Sequence, residues 1–238
     1  MLKLDSPRVK PLAILLAAIC VVALSAPARA AELEDVLARF DRVQDSIQTL
    51  SAQFTETTSN QLLKDPIVAE GLLYMTKPAA IRWEYRTPEE MRFVIADDVY
   101  TGYFPAQNRA EKRNIRRYSE QLFRFLGLGQ GSAELRKFYD IRLEPSADED
   151  GPLLVLEPKK RRARKRVAEV RLQLDPQSYL PVSVEYRSKD GGSRSIEFTD
   201  VLINPDLAAG LYEMNLPAGV KMSSGFSGLP EFNAEVAP

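Results

Sequence analysis

Ile81, Trp83 and Tyr85 alternate with Arg82, Glu84 and Arg86, giving the segment one apolar face and one charged face. Period-two alternation of this kind fits a half-buried strand and does not fit a helix. The pattern recurs along most of the chain. Ala168, Val170, Leu172 and Leu174 alternate with Glu169, Arg171 and Gln173, and Pro181–Tyr186 and Ser193–Leu202 continue in the same style. Val94–Val99 reads as a further strand, with Asp97-Asp98 as a turn before Tyr100–Phe104. Lys189-Asp190-Gly191-Gly192 and Asp175-Pro176-Gln177 are hairpin connections, because their residues tolerate the backbone conformations that tight turns need. Short strands in close succession, with no helices between most of them, predict a mainly β chain. A long antiparallel sheet of this kind closes, or nearly closes, into a barrel.

Two segments depart from the pattern. Leu33, Val36, Leu37, Phe40, Val43, Ile47 and Leu50 recur at steps of three and four, which predicts an amphipathic helix over Glu32–Gln53. Ser119–Leu128 also reads as a helix, with Ser119 as its N-cap and Gly127, Gly129 and Gly131 ending it; Ser132–Phe138 offers a second short one. A glycine-rich break between apolar helices is what a mobile flap needs, and equally what any helix-to-loop exit needs. From Ser223 to Pro238 the chain is rich in Ser, Gly, Pro and Ala and is expected to be a loose tail.

The first thirty residues read as a secretory signal. Lys3, Arg8 and Lys10 form a basic head, Pro11–Leu24 is almost wholly apolar, and Ala28-Arg29-Ala30 supplies small residues for cleavage after Ala30. The apolar run of about 14 residues falls short of the roughly 20 that cross a bilayer. A lipoprotein signal ending at Cys20 is disfavoured by the bulky Ile19 before it. Cleavage removes Lys3, Arg8, Lys10 and Arg29 with the single acid Asp5, turning 32 basic against 33 acidic residues into 28 against 32. It also removes the only cysteine. A periplasmic domain over residues 31–222 is expected, without disulfide, thiolate nucleophile or cysteine metal site.

The sequence contains no histidine. Imidazole bases, Ser-His-Asp triads and imidazole metal ligands are therefore excluded. The paired acids at Glu89-Glu90, Asp97-Asp98 and Asp148-Glu149-Asp150 are adjacent in sequence, and neighbours in a strand point to opposite faces. A carboxylate-only glycosidase is disfavoured, and a non-enzymatic binding protein without cofactor or metal is expected. A net acidic balance does not suit nucleic acid.

Four motifs follow one another in a recognisable order. The first is Glu70-Gly71-Leu72-Leu73-Tyr74-Met75-Thr76-Lys77-Pro78, then Ile81-Arg82-Trp83-Glu84-Tyr85 and Pro88. It is preceded by Ser51-Ala52-Gln53-Phe54-Thr55. Asp97-Asp98-Val99-Tyr100 with Tyr103 and Pro105 comes next, and Tyr212-Glu213-Met214-Asn215-Leu216-Pro217-Ala218-Gly219-Val220 closes the series. Together they resemble the LolA family of periplasmic outer-membrane lipoprotein carriers, from about Leu33 to Lys221. The resemblance implies an incomplete antiparallel β-barrel, a strongly curved sheet whose open side is covered by the N-terminal amphipathic helix and short mid-chain helices. It implies a monomeric, non-enzymatic carrier of acylated lipoproteins, loaded by an inner-membrane LolCDE-type ABC transporter and unloaded to a LolB-type outer-membrane receptor. Two positions depart from the family pattern: Lys77 stands where an arginine is frequent, and Asp98 replaces a turn glycine. They leave open a LolB-like receptor, a sensor of mislocalised lipoproteins or a carrier of another lipid.

Trp83, Tyr85, Phe93, Ile95, Tyr100 and Tyr103 are expected to face one side of the sheet. Aromatic residues at strand spacing are ordinarily core; the resemblance makes them cavity lining, with Leu122, Phe123, Phe125 and Leu126 from the covering helix. Lys77 is the expected lid latch, donating to the covering helices. Lys159, Lys160, Arg161, Arg162, Arg164, Lys165 and Arg166 place seven basic residues in eight. They read either as a solvated hairpin tip or, with Arg109, Lys112, Arg113, Arg116 and Arg117, as a basic rim that docks an anionic membrane or an acidic partner.

Overall fold

Alternation becomes strand almost everywhere it was expected. The computed structural model describes residues 30–78, 80–116, 131–145 and 150–225. Twelve strands form one sheet: β1 (Thr49–Ser59), β2 (Ile67–Thr76), β3 (Ala80–Thr87), β4 (Met91–Ala96), β5 (Val99–Phe104), β6 (Arg109–Asn114), β7 (Tyr139–Glu144), β8 (Leu153–Pro158), β9 (Val167–Leu174), β10 (Pro181–Ser188), β11 (Ser193–Ile203) and β12 (Lys221–Ser223). Their order across the sheet is β12-β6-β5-β4-β3-β2-β1-β11-β10-β9-β8-β7. All neighbours are antiparallel except β12, which runs parallel to β6. β7 and β12 do not pair, so the sheet is curved but unclosed, an incomplete barrel.

Hairpin chemistry sets the registers. Asp97 and Asp98 both have positive φ, 50° and 60°, the two left-handed residues that a two-residue hairpin matching the strand twist requires. Aspartate tolerates that region, so losing the glycine at position 98 leaves the β4–β5 turn intact. Gly71 is constrained by space instead. A Cβ there would lie 1.9 Å from the carbonyl oxygen of Glu84 on β3 and 2.7 Å from the Phe54 ring.

Residues 30–46 form helix α1. It ends earlier than the expected Glu32–Gln53, because Leu50 satisfies both periodicities. Thr49, Ser51 and Gln53 turn outward while Leu50, Ala52 and Phe54 are buried, so period two already governs from Thr49. On α1, Val36, Leu37 and Phe40 are buried, and Ile47 just beyond it is fully buried. All four belong to the same cluster as Phe54, Trp83, Phe93 and Tyr100 of the sheet. Short helix α2 (Ser132–Leu135) precedes β7, and α3 (Arg161–Arg164) connects β8 to β9. The expected Ser119–Leu128 helix lies outside the described residues.

The strand ends define two ends of the barrel. At one are the β2–β3, β4–β5 and β9–β10 connections, and α1 lies across it: the Arg39 guanidinium donates to the Tyr179 hydroxyl (3.3 Å), and Asn204 after β11 accepts from the backbone N–H of Gln48 (2.7 Å). At the other are the β1–β2, β8–β9 and β10–β11 connections. Replacing Gly71 with alanine forces β3 and Phe54 apart and should cost about 2–3 kcal/mol. Thermal unfolding would then fall by roughly 5–10 °C; an unchanged midpoint would contradict the close approach.

Candidate functional site

The concave face is aromatic. Trp83 pairs across with Phe93, Ile81 with Ile95, and Ile95 with Tyr100, so these side chains share one face with Tyr85. Phe54 meets Trp83 and Tyr85 at ring-centroid distances of 5.0 and 5.1 Å, and Phe93 meets Tyr85 at 5.8 Å and Phe104 at 5.6 Å. Five of the six expected lining residues on the sheet are therefore brought together: Trp83, Tyr85, Phe93, Ile95 and Tyr100. Tyr103 is not among them. It lies opposite Arg92, on the outer face, because Tyr100, Gly102 and Phe104 take the inward phase of β5 and position 103 falls in the other. Phe104 is the inward residue that sequence reading passed over. Leu122, Phe123, Phe125 and Leu126 lie outside the described residues.

α1 fills this concave face. Its apolar side packs onto the aromatic row, and its C-terminal turn is tied down by Lys77, whose ammonium donates to the Gln44 carbonyl at 2.5 Å. Lysine at a helix C-terminus satisfies a carbonyl that the helix itself cannot. The Lys77 backbone N–H also donates to the Gln48 carbonyl at 2.8 Å. Burial holds the ammonium below the ordinary lysine range, opposed by the nearby Asp45 carboxylate. Midway along α1, Asp41 accepts from the Ser132 backbone N–H (2.5 Å) and hydroxyl (2.7 Å), so α1 and α2 are joined. Nearer its N-terminus, α1 and the β7–β9 edge border a groove of about 960 Å³ that mixes Leu33, Ile141 and Tyr179 with the charged Asp35, Arg142 and Glu144.

One cluster was not anticipated. Glu56 of β1, Arg194 of β11 and Tyr85 of β3 meet on the concave face, toward the end away from α1. Glu56 accepts from the Arg194 guanidinium and from the Tyr85 hydroxyl, each at 2.6 Å, and Arg194 also donates to the Tyr85 oxygen at 3.0 Å. Glu56 is 8% exposed. Burial raises the Tyr85 phenol far above the ordinary tyrosine range; the Arg194 charge opposes this, and Glu56 adds to it. The signal was readable: Glu56 continues the inward phase of Leu50, Ala52 and Phe54, and Arg194 that of Ile196 and Phe198.

The basic run sits at this same end, exposed, with α3 at its centre. Lys159 pairs with Asp140 at 3.5 Å and donates to the Arg136 carbonyl at 2.6 Å; Arg164 donates to the Pro158 carbonyl at 2.5 Å, and Lys160 lies over the Phe138 ring. The strand β6 that carries Arg109, Lys112 and Arg113 lies near the other edge of the sheet from β8 and β9, so the two basic groups are not neighbours along it. Next to the run, the Lys189 N–H donates to the Arg166 carbonyl (2.8 Å), and Gly191 abuts Gln61 of the β1–β2 hairpin, whose Leu62 is 95% exposed. Among the described residues no group of acids offers a metal site, and no helix is long and apolar enough to cross a membrane.

The described residues thus form a curved, unclosed sheet with an aromatic concave face and a helix seated in it. Residues 45–215 match the family described as "Outer membrane lipoprotein carrier protein LolA", and the chain belongs to that family. No curated protein matches it in sequence. In structure it is similar to an uncharacterized conserved protein from Thermus thermophilus, with a TM-score of 0.51 and 13% identity over 81% of this chain and 98% of that one. It is also similar to a LolA superfamily protein from Nitrosomonas europaea (TM-score 0.41, 11% identity, 76% of this chain and 97% of that one). A third likeness is to the Pseudomonas aeruginosa MucA/MucB complex (TM-score 0.42, 16% identity, 76% of this chain and 61% of that one). The first of these likenesses speaks to the fold alone.

Removing one member of the buried ion pair strands the other. Arg194→Met should cost about 3 kcal/mol by leaving the Glu56 carboxylate without its counter-charge, while Glu56→Leu combined with Arg194→Met should recover most of that loss. Urea unfolding of the single and double variants checks it; equal stability of Arg194→Met and the parent would remove the pair from the core.

Proposed function

We propose that the mature chain, cleaved after Ala30, is a periplasmic carrier that shields the acyl chains of lipoproteins and moves them from the inner to the outer membrane. Its partners in this reading are acylated lipoproteins, a LolCDE-type transporter that loads it and a LolB-type receptor that unloads it. The observation that carries the reading is α1 seated on the aromatic concave face and fastened by Lys77. The arrangement has the form of a closed, empty carrier, with the helix occupying the space a chain would take.

Energetics favour such an exchange. Burying Val36, Leu37, Phe40 and Ile47 stabilises the closed form by about 6–12 kcal/mol at 1.5–3 kcal/mol each. A sixteen-carbon acyl chain gains about 12 kcal/mol at roughly 0.8 kcal/mol per methylene. Against a single chain the two are of similar size, so one inserted chain displaces the helix without being trapped, and a carrier with no energy source can give it up. Lys77 adds to the closed side. In Lys77→Leu the closed state loses a hydrogen bond of about 1 kcal/mol, and release should slow by roughly fivefold, with loading changed less. The test is transfer of a triacylated peptide from purified protein to acceptor vesicles. Release as fast as the parent would contradict the latch; failure of the parent to take up any acyl ligand would contradict the carrier.

Docking belongs to the end opposite the Lys77 cap. The basic run, the Lys189–Gly192 turn and the exposed Leu62 of the β1–β2 hairpin are contiguous there, and a cationic face with an apolar tip is suited to anionic headgroups. Replacing the seven basic residues of Lys159–Arg166 by Gln should weaken binding to phosphatidylglycerol vesicles and flatten its salt dependence, at up to about 1 kcal/mol per charge. The thermal midpoint should hardly move. Undiminished vesicle binding at low salt would return the run to a solvated tip.

A further inference from the structure

Trp83 is the only tryptophan in the chain, and it is 3% exposed in the middle of the aromatic row. Its indole Nε1 is buried with no hydrogen-bond partner among the described residues. A buried donor left unpaired is costly, and such groups are rare enough that each calls for a physical reason. Packing does not supply one, because phenylalanine fills the same role at Phe54 and Phe93. Phe54 stacks against both Trp83 and Tyr85. The idle donor therefore shares one ring neighbour with the Glu56–Arg194–Tyr85 cluster, a polar patch on a largely apolar wall whose second charged pair, Arg109 and Glu111, lies on β6 beside Phe104.

We propose that Trp83 Nε1 and this cluster form a polar subsite that takes an acyl ligand by its neutral carbonyl oxygen, an ester or amide, when α1 is displaced. The inference rests on the carrier reading and says which part of the ligand the wall reads. The charge arrangement selects the ligand class. Arg194 is already balanced by Glu56 at 2.6 Å, so an incoming carboxylate would bring a second, uncompensated anion beside the first. A neutral carbonyl offers the acceptor that the indole lacks and adds no charge. The subsite lies toward the basic end of the barrel, so a chain held there by its carbonyl has its apolar tail toward α1 and its polar end toward the basic run.

The experiment compares methyl palmitate, hexadecane and ionised palmitate, each displacing Nile red from the full mature protein and from Trp83→Phe. The affinity ratio of methyl palmitate to hexadecane should fall about tenfold in Trp83→Phe, in line with loss of one hydrogen bond to a buried donor. In the parent, palmitate should be held more weakly than its methyl ester. The parent alone gives a second readout: the hydrogen-bond-sensitive indole N–H band in the Raman spectrum of Trp83 should shift with methyl palmitate and not with hexadecane. An unchanged ratio, or an indole band that responds alike to both, would overturn the subsite while leaving the carrier intact. Tighter binding of palmitate than of its ester would overturn the choice of a neutral acceptor. No displacement by any of the three would overturn the subsite and the carrier together.

Discussion

An open sheet of twelve strands presents a concave apolar face too broad for its own side chains to fill alone. The contact that resolves this is the apolar side of α1 laid across it. Phe40 and Ile47 are fully buried and Leu37 nearly so, all against residues that belong to strands far apart in the sheet order. Without that helix, Trp83, Phe93 and Tyr100 would face water. The position of α1 in turn fixes α2 through Asp41 and Ser132, and gives Lys77 a helix C-terminus to cap. A core made this way has a wall that is continuous and a filling that is one short helix. In the proposed carrier it is the filling that is exchanged for cargo of similar area, because the strands are held by their own ladders and the helix by side-chain burial and a few polar ties.

The barrel also has direction along its axis. The C-terminal turn of α1 lies at one end with the Lys77 cap, while Glu34 near its N-terminus pairs with Arg136, whose carbonyl accepts from Lys159 of the basic run. The basic run, the Leu62 hairpin and the Glu56–Arg194–Tyr85 cluster lie at or toward the other. The outer surface of β7–β10 carries a separate lattice of Arg142, Glu144, Glu169, Arg171, Glu185 and Arg187, half-buried around Arg171 and more open to water at Arg142 and Arg187. In the proposed carrier, cover at one end and charge at the other would let a ligand enter, be covered and be presented without the sheet itself rearranging.

Much of this was legible in the sequence, for a physical reason. Half-buried strands must alternate, so β3, β9 and β10 announce themselves, and the Asp97-Asp98 turn was visible although its glycine is absent. The end of α1 was misplaced because Leu50 lies at a helical step from Ile47 and at a strand step from Ala52; only the sheet's pairing of Thr49 with Thr76 decides between them. Tyr103 was assigned to the wrong face because an aromatic residue is at home on either side of a sheet, whereas strand phase permits only one. The ion pair went unread because Glu56 and Arg194 lie far apart in sequence, and a charge in the apolar phase of a strand has meaning only once its partner is found across the sheet.

The central claim is that α1 occupies the place of the cargo. Hydrogen exchange of the mature protein, alone and loaded with a triacylated peptide, measures it directly, since backbone protection reports local opening. The account predicts that amides of residues 30–46 lose protection on loading while those of β1, β2 and β3 keep theirs. Protection of the helix that stays constant or rises, with a ligand demonstrably bound, would mean that the chain is held elsewhere and that α1 is a permanent part of the core.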